Sequence, residues 1–183
     1  MEFYKILSQN HIKQHDFTKE LDEINIKYFT GNKRNSIAIK YDPEKFYDLL
    51  KNDKIFEKYQ LSSTKQLLFT NQKYLFLINY RNKIDFLKII DYKLDSISED
   101  DAADYYGFDE TEDLNEELKI IIEENEFNIK EFIYKTKENN RKIIVQKNGV
   151  IGFDKEILKE NKELMKQLID ILNFGNKVLQ WRS

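Results

Sequence analysis

The chain has 183 residues, 40% apolar and 34% charged, with 25 aromatic side chains drawn mainly from Phe and Tyr. That length suits one domain with a real core, and the aromatics carry much of its volume. There is no cysteine, which excludes a disulfide framework and a thiolate metal site, and one proline with five glycines argues against a long flexible linker. No run approaches a membrane span, and MEFYKILSQN lacks the positive-then-apolar pattern of a signal peptide, so the chain reads as cytoplasmic.

Residues 2–21 show no clean period, and a short helix and an edge strand both stay open. His11 and His15 are four apart and would share one helical face as a zinc pair. HIKQH lacks the glutamate of HExxH, however, and no third histidine exists. Two solvated histidines is the plainer reading. Residues 23–41 predict a hairpin: Ile24, Ile26 and Tyr28 alternate with polar residues, GNKRN turns, and Ile37, Ile39 and Tyr41 alternate on the return. Asp42-Pro43 then starts a helix, with an N-cap followed by proline at its first position. Phe46, Leu49, Leu50, Phe56 and Tyr59 form its apolar stripe, broken at Asn52-Asp53, and read as core. The hydroxyls of Ser62-Ser63-Thr64 have neither a histidine nearby nor a G-x-S-x-G elbow to make a nucleophile.

Residues 66–98 are the densest apolar stretch and read as three strands, 66–70, 73–80 and 84–91. Asn71-Gln72 supplies a two-residue turn, and Arg81-Asn82-Lys83 a polar one. Tyr74, Phe76, Ile78 and Tyr80 alternate with Leu75 and Leu77, as in a strand covered on both sides. For 84–92 a short helix is the alternative; β-branched content and turn spacing favour strand. LLFTNQKYLFL resembles the L-x-L-T-N-x-R-L-x-F hairpin of bacterial PH-like and GRAM-like domains. Leu67, Leu68, Thr70, Asn71, Leu75 and Phe76 match, and Tyr74 stands about where that family has Arg.

The net charge of −3 conceals an asymmetry. Residues 95–126 hold fourteen acidic side chains and only Lys119 in opposition, a balance of −13, while the rest carries 29 basic and 19 acidic residues, or +10. The first half of this segment, with Gly107, reads as a loop anchored by Tyr105, Tyr106 and Phe108. From 111 to about 139 the pattern predicts a helix, with Leu114, Leu118, Ile121 and Ile122 on one side and Phe132 and Ile133 continuing it. One reading is a solvated loop and an ordinary amphipathic helix. The sharper one is a docking surface for a basic protein, built from Asp100, Asp101, Asp104, Tyr105, Tyr106, Asp109, Glu110, Glu112 and Asp113. No EF-hand pattern is present. Glu117-Leu118-Lys119 fits the E-x-K of a metal-dependent nuclease, with Asp109 or Asp113 as metal carboxylate, but that chemistry wants its E-x-K on a strand.

In RKIIVQKNGVIGF (141–153), Asn148-Gly149 between β-branched runs predicts a type I′ hairpin. Asp154 then caps a helix to about residue 173, with Glu156 in its first turn and Gly175 just past its end. Ile157, Leu164, Leu168 and Leu172, flanked by Leu158, Met165, Ile169 and Ile171, make a broad face suited to covering a sheet. Trp181 packs back rather than binds.

The expected fold is α+β, one domain over 1–183. It has a mostly antiparallel sheet or PH-like partly open barrel, a C-terminal amphipathic helix, and an acidic loop-plus-helix insertion at 96–140. Seven strands closed by one helix carry the PH-like resemblance along most of the chain, and it implies lipid, peptide or protein ligands. Arg81 and Lys83, even joined by Lys33-Arg34, are too few for a phosphate site. No P-loop, Rossmann glycines or kinase set exists, so no cofactor is implied. Direct nucleic-acid binding is not favoured, because the basic residues are interspersed with acids and no module is recognisable. The leading expectation is a non-enzymatic binding protein whose acidic segment engages a basic partner: an inhibitor or immunity protein against a nuclease-type effector, or a phage anti-defence protein.

Overall fold

The computed structural model describes residues 1–9, 14–33, 35–79, 86–95, 118 and 128–179. The chain divides into two compact units, one made of Met1–Leu68 with Asn148–Ser183 and the other of Phe69–Lys147. The first begins with β1 (Glu2–Ser8), α1 (Gln14–Glu23), β2 (Tyr28–Thr30), β3 (Ser36–Lys40), α2 (Pro43–Lys51), α3 (Asp53–Leu61) and β4 (Lys65–Gln66). The second holds α4 (Asn71–Asn79), β5 (Leu87–Asp95), β6 (Asn128–Thr136) and β7 (Lys142–Gln146). The chain returns to the first as β8 (Val150–Phe153), α5 (Lys155–Glu160) and α6 (Lys162–Leu179). Helices and antiparallel strands make the fold α+β, and among the described residues the strands of neither unit close into a barrel. No described helix is long and apolar enough to cross a membrane.

In the first unit the strands run β2–β3–β1–β8, with β4 taking up the side of β1 beyond β8. The segment left open as helix or edge strand is thus both a strand and a helix, and the strand is central. Tyr4, Lys5, Ile6 and Leu7 are buried in succession, as befits a strand covered on both faces. The expected hairpin forms, but β2 begins only at Tyr28. Ile24 and Ile26 belong instead to the end of α1, where Asn25 takes φ 55°. The Ile26 amide donates to the Leu21 carbonyl at 2.9 Å and the Asn25 amide to Asp22 at 3.1 Å, a Schellman cap.

Asp42 caps α2 ahead of Pro43, as expected, and Asn52 both ends α2 and caps α3 by accepting from the Ile55 amide at 3.3 Å. Leu7, Phe17, Leu21, Ile37, Ile39, Phe46, Leu49 and Ile55 form one core cluster under α1–α3. Ser36 and Ala38 alternate with Ile37 and Ile39, so they face the other way, toward α6. The expected single C-terminal helix is two. Asn161 leaves helical geometry (φ −139°, ψ 71°) and its side chain caps α6 through the Leu164 amide at 2.9 Å. Gly175 lies inside α6 rather than past its end. The predicted apolar face is real: Ile157, Leu158, Met165, Leu168, Ile169 and Leu172 are buried, and Leu164 and Ile171 are half-buried.

The second unit overturns the expected meander. The strand at 66–70 shrinks to β4, and 73–80 is helical in α4 through Asn79. Thr70 caps that helix: its carbonyl accepts from the Tyr74 amide at 3.0 Å, and its hydroxyl from Lys73 at 3.3 Å. Asn71-Gln72 is therefore a first helical turn and not a hairpin turn. The buried Tyr74, Leu77 and Ile78 stand at i, i+3 and i+4, one face of a helix, which a continuous apolar run permits as readily as a strand. The third strand exists as β5, starting at Leu87 and running to Asp95, with register shifts at Ile89/Asp91 and Lys93/Leu94. Residues 128–136, expected to continue a helix, are the strand β6 paired with both β5 and β7. In the loop after β7 only Gly149 has positive φ (77°), so the two left-handed residues of a type I′ turn are not there. A side chain at Gly149 is barred: its Cβ would lie 1.9 Å from the Leu67 carbonyl oxygen.

Candidate functional site at the root of the acidic segment

The described residues that flank the acidic segment on either side are neighbours in the sheet. β5 ends at Asp95, β6 begins at Asn128, and these two residues are register partners. Between them, residues 96–127 carry thirteen acidic side chains and one lysine. Leu118, in that interval, is helical and fully buried.

Several bonds fix the two ends. Lys147 Nζ meets Asp95 Oδ2 at 2.6 Å, and the Lys147 amide donates to the Lys130 carbonyl at 2.8 Å. From α4, Asn71 Oδ1 accepts from the Ile129 amide at 3.0 Å, so the start of the helix holds the start of β6. Glu131 is buried, takes a bond from Gln146 Nε2 at 2.9 Å and lies 3.4 Å from Lys93 Nζ. Beneath these sits an aromatic stack. Ring centroids of Phe69 and Tyr74 are 5.6 Å apart, Tyr74 and Phe132 4.4 Å, and Phe132 and Tyr134 5.9 Å. The Tyr74 hydroxyl donates to the Val145 carbonyl at 3.3 Å. Burial, then the neighbouring Tyr134, Glu131 and Asp95, push that phenol far above its ordinary pKa. Burial does the same to Tyr134.

Lys73 is fully buried in this unit, with its ammonium 4.5 Å from the Phe69 ring centroid. Burial lowers its pKa to about 7, so near neutral pH the amine is divided between its two forms. No family model, curated protein or solved structure matches the chain.

The expected docking residues Asp100, Asp101, Asp104, Tyr105, Tyr106, Asp109, Glu110, Glu112 and Asp113 lie outside the described residues, as do His11, Arg34, Arg81, Lys83, Glu117, Lys119 and Trp181. His15 falls on α1. Ser62 and Thr64, by contrast, are placed: they are buried and bonded to each other, with Ser62 donating to the Tyr59 carbonyl and Gln9 Nε2 donating to Thr64 at 2.9 Å. That cluster ties β1 to the end of α3. Sequence reasoning missed Asn71, Lys73, Glu131 and Lys147. The available signal was a lone lysine beside Tyr74 in an apolar stripe; the others become partners only through pairing of distant strands. Among the described residues no group of three His, Asp or Glu is placed to hold a metal ion.

Proposed function

We propose that this chain is a non-enzymatic cytoplasmic binding protein whose acidic segment, residues 96–127, docks on a basic protein surface, as an inhibitor, immunity or anti-defence protein docks on a nuclease-type partner. One observation carries the reading: both ends of a strongly acidic segment are fastened to neighbouring strands, at Asp95 and Asn128. The concentrated negative charge speeds encounter with a positive surface and rejects negative ones.

The competing account is pairing of these carboxylates with the chain's own basic residues, where exposed pairs contribute only about 0–1 kcal/mol each. The test replaces Asp100, Asp101, Asp104, Asp109, Glu110 and Asp113 with Asn or Gln. Docking predicts an unchanged melting temperature, a slower on-rate for the partner captured from native cells, and a flatter dependence on salt. Earlier melting with unchanged binding supports internal pairing instead.

A second reading, a PH-like module for lipid or peptide, draws support from α6 lying against β1, β2 and β3. Sedimentation with anionic vesicles, unaffected by the six substitutions, would favour it over docking.

A further inference from the structure

We draw no further inference here: the strongest candidate, the fully buried Lys73 amine on α4 of the second unit, rests only on its burial and lowered pKa, with nothing among the described residues to show a ligand reaching it.

Discussion

Lys73 contributes to stability in a direction that depends on pH. Its folded pKa, about 7, lies below the ordinary 10.5, so the unfolded chain holds the proton more tightly. Below pH 7 both states are protonated and the full cost of burying the charge is present. Between 7 and 10.5 that cost falls by about 1.4 kcal/mol per pH unit. Urea melts from pH 7 to 10 should therefore show wild type gaining on Lys73→Met, and two parallel profiles would refute the assignment. Glu2 behaves oppositely. The Lys40 ammonium at 2.9 Å, helped by the Tyr4 hydroxyl and Lys27 and opposed by burial, holds its carboxyl down to about 2. Its stabilisation is present above pH 4.5 and lost as pH falls toward 2. Because both lysines are about half exposed, Glu2→Gln should cost only about 1 kcal/mol at pH 7. That difference should vanish in melts near pH 2.

At the scale of elements, α6 is held by two unlike sets of contacts. Its apolar face includes Leu168, which is 2% exposed, and Leu168→Ala should cost about 2–5 kcal/mol in denaturant melts. Its polar contacts clasp the loop between β2 and β3. Asp170 accepts from the Ser36 hydroxyl at 2.8 Å and the Lys33 amide at 3.1 Å, and Asn173 donates to the Asn35 carbonyl at 3.2 Å. Gly31 permits this approach, since a Cβ there would lie 2.0 Å from Asp170 Oδ1. Asp170→Ala removes two bonds to a buried carboxylate and should cost about 1–3 kcal/mol. If both substitutions leave the midpoint unmoved, α6 does not pack on this sheet.

At the scale of the whole molecule, the chain passes between its units twice, at Leu68–Phe69 and at Lys147–Asn148. Within the second unit the two crossings meet: the Phe69 amide donates to the Lys147 carbonyl at 2.8 Å. Within the first, Leu67 abuts Gly149. The second unit thus has the geometry of an inserted module, and closing the gap it leaves needs only a short linker. Replacing residues 69–147 with a three- or four-residue glycine-rich turn should leave a cooperative melt and the helical far-UV signal of α1–α3, α5 and α6. A non-cooperative melt would show that the first unit cannot fold alone.

Local chemistry alone determined the caps and the amphipathic faces. Asp42-Pro43, the break at Asn52, the cap at Asp154, the β2–β3 pair and the buried face of α5 and α6 all follow from bonds or periods spanning a few residues. Tertiary structure decided the rest. Residues 71–79 are apolar enough for a strand covered on both faces or for a helix; packing on β6 selects the helix, whose first turn the local Thr70 cap then supports. Residues 128–136 alternate poorly because β6 is buried on both faces, and its state is set by β5 and β7 from either side. The acidity of residues 96–127 was plain in the sequence. That its ends meet at Asp95 and Asn128 was not, because register between strands separated by that length is set by long-range pairing, which leaves no local period to read.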